Sequence, residues 1–338
     1  MKKTTAIILA AASLAMCAPA LSGCSGDGVK FTLSEDGGKH YTVSYSGLSS
    51  GYGEYEIPAY YGEGENYAPV TAIADEGFAS THYSKIIVPE TVTEIGTAAF
   101  SYCYSLETVE FADGSKLEKF SHGMFGECIN LQYIKIPDSV TTLDGLVFSG
   151  CIKLSSVEMS YVKTIGVRAF AGCTALEEIT LPSSLLSIGT LAFYNSGLKS
   201  VEIPGSLTDT VTVDDDGNET TEYGLGIAAF NNCLSLESVK IGSGVKVISS
   251  GAFGFCLALK EIYIPLSVEE VQGASRDKKG VILFGHAFYS DTALTDVYYE
   301  GDAEQWKDIK IDLTRSSANG IAMNNDALTG AVKHFNKQ

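Results

Sequence analysis

Arginine is almost missing from this chain: Arg168, Arg276 and Arg315 are the only three in 338 residues. With 23 basic against 41 acidic side chains, the formal charge is −18. That balance excludes a binder of nucleic acid or heparin-like polyanions, which dense Lys and Arg would have to hold. Tryptophan is as scarce, with Trp306 alone. The five histidines (His40, His82, His122, His286 and His334) make no H-E-x-x-H pair and share no repeat position, so each reads as a surface or loop residue. The eight cysteines show no C-x-x-C spacing, which removes the usual signature of zinc. After residue 23 no apolar run is long enough to cross a bilayer.

Catalytic constellations are lacking too. Gly47-Leu48-Ser49-Ser50-Gly51 fits G-x-S-x-G, but it sits in a polar turn and not between a buried strand and a helix. Gly224 to Ala229 fits G-x-G-x-x-A without a βαβ unit around it. Nothing brings together nucleophile, base and oxyanion donors. The expectation is a protein without catalysis, cofactor or metal.

What is present is a rhythm. Phe78, Phe100, Phe125, Phe148, Phe170, Phe193, Phe230, Phe253 and Phe288 mark a unit A-F-x-x-C-x-x-L-x-x-V-x-I-P that returns about every 23 residues. Segments such as Leu131-x-x-Ile134-x-Ile136 and Leu259-x-x-Ile262-x-Ile264 alternate as short strands do. Pro89, Pro137, Pro182, Pro204 and Pro265 end them. A hydrophobic-Gly pair such as Ile188-Gly189 follows, then Ala-Phe and a turn. The sequence therefore predicts a repeat solenoid with short parallel strands on a concave face and an irregular or 3₁₀ convex side. Each coil buries its apolar edge against its neighbours, with the phenylalanines in one core column. Cys103, Cys128, Cys151, Cys173, Cys233 and Cys256 share one repeat position that Thr81, Ser196 and Asp291 fill elsewhere. Such tolerance suits a small buried filler. Free thiols are the preferred reading, and disulfides between neighbouring coils stay open.

Ile136-Pro137-Asp138-Ser139-Val140 through Leu143-Asp144-Gly145-Leu146-Val147-Phe148-Ser149-Gly150-Cys151 resembles the BspA-like branch of bacterial leucine-rich repeats, with Leu143 and Val147 replacing the family's Ile and Ala. The resemblance spans roughly residues 40–335. It implies a curved solenoid and a surface role, as in adhesins that bind host matrix proteins or other bacteria. It carries over no binding residues.

The ends read differently. Lys2 and Lys3, the apolar stretch 6–20 and Leu21-Ser22-Gly23-Cys24 look like a lipoprotein signal over residues 1–23, leaving Cys24 to carry the lipid. Residues 24–30 form a tether and 31–70 a β-rich cap. The solenoid occupies 71–299, with insertions at 209–222 and 272–283. A small α/β cap over 300–338 has Asp302 as N-cap, Gln305 three residues on, and Trp306 sealing the core or, on the functional reading, stacking a ligand.

Candidate binding residues lie in two places. Outward strand positions carry Tyr133, Lys135, Glu158, Glu178, Glu202, Lys240, Glu261, Tyr263, Asp296 and Tyr298. This acidic stripe suits a basic or mixed-charge protein partner, with Tyr as anchor; a merely solvated sheet face is the rival reading. Asp215 and Lys278 mark an acidic and a basic finger on the two insertions, which read as emerging at one point of the repeat. The expected function is a lipid-anchored surface protein that binds an extracellular protein of host matrix or bacterial surface. The alternative is a glycan-capturing lipoprotein for nutrient uptake, with Tyr133, Tyr263 and Tyr298 as sugar platforms.

Overall fold

The phenylalanine column organises the molecule. In the computed structural model, which describes residues 22–24, 28–34, 39–47, 51–213, 219–318 and 321–337, all nine rings are fully buried. Neighbours stack at centroid distances of 5.0–5.9 Å and interplanar angles of 0–27°, the offset arrangement that aromatic quadrupoles favour. Each Phe N–H donates to the carbonyl of the residue before the next Phe, from Phe78 to Ala99 through Phe253 to Ala287, at 2.7–2.9 Å. One coil therefore satisfies the buried backbone of another.

Two parallel ladders flank the column. The broad one runs through two five-stranded sheets. The first joins Tyr52–Glu56, His82–Val88, Thr108–Phe111, Tyr133–Lys135 and Ser156–Glu158. The second joins Ser200–Ile203, Ser238–Ile241, Glu261–Ile264, Asp296–Tyr299 and Val332–His334. The narrow ladder pairs two residues per coil, including Lys119–Phe120, Thr142–Leu143, Thr164–Ile165 and Ser187–Ile188.

The broad ladder breaks at one coil. Residues 178–180, expected as a strand, form none, and no backbone bond joins them to either neighbour. The preceding turn is short: eight positions separate Leu154 from Val162, against nine from Leu131 to Val140 and from Leu176 to Leu185. On the far side of the break Phe193 to Leu198 spans five positions, against six from Phe170 to Leu176, so the spacing of the repeat changes on both flanks of the unpaired segment.

The convex side takes the irregular one of its two expected forms. Its segments are turns, and among the described residues the 3₁₀ assignment falls only on Gly64–Asn66. The reason is two left-handed residues per coil, such as Arg168 (φ 55°) and Asn195 (φ 54°), which a right-handed 3₁₀ helix cannot contain.

Strands extend into both expected caps. Tyr52–Glu56 already belongs to the broad ladder, and Val29, assigned above to the tether, is buried in Val29–Leu33. At the other end Val332–His334 adds the last broad strand, and Lys310–Ile311 the last narrow one. Asp302 caps Ala303–Trp306 in a capping box with Gln305. Trp306 packs edge-on against buried Tyr299 at 5.2 Å.

Both insertions contain hairpins, Thr210–Val213 with Glu219–Glu222 and Ser275–Arg276 with Ile282–Phe284. They do not leave the repeat at one point. The first precedes the narrow-ladder position at Leu225, which bridges Ile188. The second follows Val271, which stays buried and paired to Ile311. The fully buried valine anchors the ladder, so the extra chain emerges after it.

Truncating Phe170, stacked between Phe148 at 5.2 Å and Phe193 at 5.1 Å, should cost about 3–5 kcal/mol through the cavity it leaves. Chemical denaturation of Phe170→Ala measures this, and a loss below about 1 kcal/mol would take the ring out of the core.

Candidate interaction surfaces

The cysteine position is a hydrogen-bonding device. All six cysteines of the solenoid are free and buried. Each thiol Sγ donates at 3.0–3.2 Å to the carbonyl of the Phe one coil back, from Cys103 to Phe78 through Cys256 to Phe230. Burial pushes the Cys151 and Cys173 thiols up, keeping them protonated. In the last full coil Asp291 takes the position, and its Oδ1 accepts the Cys256 N–H at 2.9 Å. Its other oxygen, Oδ2, is buried without a hydrogen-bond partner, and burial pushes the carboxyl well above its ordinary value. His286, expected at the surface or in a loop, lies in a loop but away from solvent. It is fully buried, 3.8 Å from Asp312, and burial holds its pKa below the ordinary value.

On the broad face most of the sequence-selected residues lie in register. Tyr133 and Lys135 pair with Ser156 and Glu158. The Tyr133 phenol is raised by partial burial and by the Glu158 carboxylate beside it. In the second sheet Glu202, Lys240, Tyr263 and Tyr298 make one row, with Glu261 and Asp296 in the next. Tyr298 lies between Tyr263, at 4.5 Å, and His334, at 4.7 Å, stacked on both. Its two faces are therefore covered. Tyr263 and Tyr298 are neighbours while Tyr133 stands in the other sheet, so the three tyrosines do not form one platform.

Ion pairs sort the charges. Lys240 holds Glu202 at 2.7 Å, Lys199 holds Glu177 at 2.5 Å and Lys260 holds Glu237 at 2.7 Å. His334 contacts Asp296 at 2.7 Å and draws its carboxyl below the ordinary value. Among the described residues Glu158, Glu178 and Glu261 have no basic partner within 4.0 Å. Glu158 and Glu178, with Glu202, line a cleft of about 830 Å³ where the broad ladder breaks. Asp215 lies outside the described residues. Lys278 is exposed at the tip of the second hairpin, whose turn is tied by the Asp277 carboxylate accepting from the Lys279 and Val281 N–H groups. Lys278 is not among the residues that line the cleft.

This stack of Phe-ordered coils is the structural signature of one repeat type, and its sequence pattern agrees. The BspA type Leucine rich repeat region matches in six copies over residues 71–161, 147–212 and 221–275, more than half of the chain. The chain belongs to the BspA-type leucine-rich repeat family. No curated protein matches it. Among solved structures it is similar to a leucine rich cell surface protein from Faecalibacterium prausnitzii, at 23% identity, covering 88% of this chain and 99% of that one with a TM-score of 0.48. A leucine-rich repeat protein from Bacteroides ovatus is 19% identical over 92% of this chain and 99% of its own, with a TM-score of 0.49. One from Bacteroides capillosus is 31% identical over 40% of this BspA-type chain and 95% of its own, with a TM-score of 0.34.

A second surface escaped the sequence reading. On the edge formed by the F-x-x-C turns, Glu127, Gly150, Arg168, Gly172, Tyr194, Asn195, Asn232, Phe255 and Leu283 border a groove of about 680 Å³. Its signal was present in the variable second residue after each Phe, which runs Glu127, Gly150, Gly172, Asn195, Asn232, Phe255.

Two outcomes follow from the buried column. In residues 25–338, which retain six cysteines, all six thiols should react with a thiol reagent after denaturation without reductant, and almost none before it; fewer than about five reactive groups would mean bridges. The unfolded chain releases the Asp291 proton near pH 4, while the folded chain holds it to higher pH. Stability contributed by this group is thus complete below that pH and is lost as pH rises toward the folded value. Asp291→Asn should raise the melting temperature more at about pH 8 than at about pH 4, and equal effects at both would show an ordinary carboxyl.

Proposed function

We propose that this chain is a lipid-anchored, non-catalytic protein of the bacterial cell surface that binds a basic or mixed-charge protein through its broad face. The observation that carries the reading is the acidic cleft at the ladder break. There Glu158 and Glu178 have no basic partner, and residues 178–180 leave their backbone groups outside the ladder. Elsewhere on that face the acids are largely neutralised by lysines one coil away. Unpaired carboxylates steer a cationic partner and lose less on desolvation when it supplies the missing counter-charge. Membership of a repeat family built for extended binding surfaces supports the same reading.

The anchor follows from Leu21-Ser22-Gly23-Cys24. Ser22–Cys24 pairs antiparallel with Lys30–Thr32, and cleavage before Cys24 would remove Ser22 and Gly23 from that pairing. Four residues then separate Cys24 from buried Val29. At about 3.3–3.6 Å per residue, acyl chains on Cys24 hold the first sheet close to the bilayer.

Residues 25–338 presented with matrix proteins, bacterial surface proteins and glycans should give a salt-sensitive protein interaction. Glu178→Lys should weaken it about tenfold or more, by placing like charge against the partner. Binding indifferent to both salt and Glu178→Lys would move the interface elsewhere. Growth with labelled fatty acid should add acyl mass to Cys24, and an unmodified mature Cys24 would sink the anchor.

A further inference from the structure

The groove on the F-x-x-C edge is built differently from the acidic cleft. Its floor is Gly150 (φ 75°) and Gly172 (φ 77°), at a position that holds Tyr102, Glu127, Asn195, Asn232 and Phe255 in other coils, all at φ 54–61°. Two consecutive missing side chains open a dip in an otherwise occupied row. A Cβ on Gly172 would meet nothing nearer than the Gly150 backbone at 3.7 Å, whereas one on Gly150 would run into the Glu127 carboxylate. Glu127 therefore closes one end of the floor. The second insertion supplies a wall: Leu283, 57% exposed, follows its turn, and Phe284 lies beside it. Tyr194, 39% exposed, and Phe255 add apolar surface, with Phe255 braced edge-on by buried Tyr289 at 4.8 Å.

The polar groups around this floor are mixed and unspent. Among the described residues neither Arg168 nor Glu127 has an ion-pair partner within 4.0 Å. Asn232 Nδ2 donates to Asn195 Oδ1 at 3.1 Å, which fixes both amide planes. That bond leaves Asn195 Nδ2 as a donor and Asn232 Oδ1 as an acceptor. One cation, one anion, one amide donor and one amide acceptor border a single groove. An anion would want donors only and a cation acceptors only. Hydroxyls, which donate and accept at once, complement the whole set, and the C–H faces of a sugar ring suit Tyr194, Phe255 and Leu283. The volume, about 680 Å³, lies within the range of roughly 300–1,000 Å³ of small-ligand sites.

We propose that this groove, floored by Gly150 and Gly172 and bordered by Glu127, Arg168, Asn195 and Asn232, is a binding site for a neutral oligosaccharide. It is separate from the protein-binding face and from the tyrosines of the broad sheet. Its polarity makes the molecule two-sided: a charge-selective face and a charge-neutral edge.

Calorimetric titration of the mature chain with maltotriose, cellotriose, mannotriose and triacetylchitotriose at millimolar concentration tests this. At least one should bind saturably. Gly172→Phe, which fills the floor with a residue this position already accepts at Phe255, should abolish that binding while the chain still melts in one cooperative transition. Asn232→Ala should weaken it about tenfold, the loss of one well-placed hydrogen bond, and serves as the test if Gly172→Phe does not fold. Glu178→Lys, on the other face, should leave it unchanged. The proposal is overturned if no trisaccharide binds, if binding survives Asn232→Ala undiminished, or if Glu178→Lys removes it.

Discussion

The Phe N–H bond between coils is the constraint on which the rest depends. Each F-x-x-C turn is buried, and neither a helix nor a sheet supplies partners for its backbone there. A buried amide without a partner costs about 1–3 kcal/mol, so the turn persists only where another coil lies against it in register. The N–H reaches forward to the next coil, while the Phe carbonyl receives a thiol from it. The second requirement sets a cysteine-sized donor three residues after the ring in six of the coils. Stacked rings fill the space between and add the burial energy of a large apolar column.

An array held this way must be closed where the coils stop. At the C-terminal end Asn325 does so. Its Oδ1 accepts the Phe288 N–H at 3.2 Å in place of the missing next carbonyl, and its Nδ2 donates to the Gln272 and Asp312 carbonyls. One fully buried side chain ends the Phe ladder and ties the second insertion to the cap. At the other end Tyr55 and Tyr83 lie 5.8 and 6.4 Å from Phe78, so aromatic surface continues past the last column ring. Thr81 donates to the Phe78 carbonyl from within its own coil, beside the Cys103 thiol.

The repeat itself was legible because burial repeats: every 23 residues the same positions meet the same neighbours, and Phe, Leu and Val recur at them. The broad-face rows were legible for the same reason, since period-two alternation places Tyr133, Glu202, Lys240 and Tyr298 on one side. The ladder break was not, because the segment Glu178 to Leu181 has an ordinary strand pattern and only the spacing of the repeat on either side of it changes. Nor was the true exit of the second insertion, since Val271 and the residues after it are adjacent in sequence and only pairing with Ile311 separates ladder from loop. Asn325 gave no sign because a cap that works by one side chain has no period.

Solenoid repetition also explains where specificity resides. Positions that point into the column are nearly invariant along the chain, because each must fit two neighbours of its own kind. Positions that point out meet only solvent or the corresponding residue one coil away, and they drift freely. Drift on the broad face was partly countered by charge pairing, Glu177 with Lys199 and Glu237 with Lys260, while Glu158 and Glu178 stay unmatched side by side at the ladder break. Drift at the turn edge ran through Gly150 and Gly172 and opened a floor that no other pair of coils has in this row. The same buried column therefore supports two surfaces of opposite character. Gly150 and Glu158 share one coil and Gly172 and Glu178 the next, so the two surfaces lie on different sides of the same buried rings.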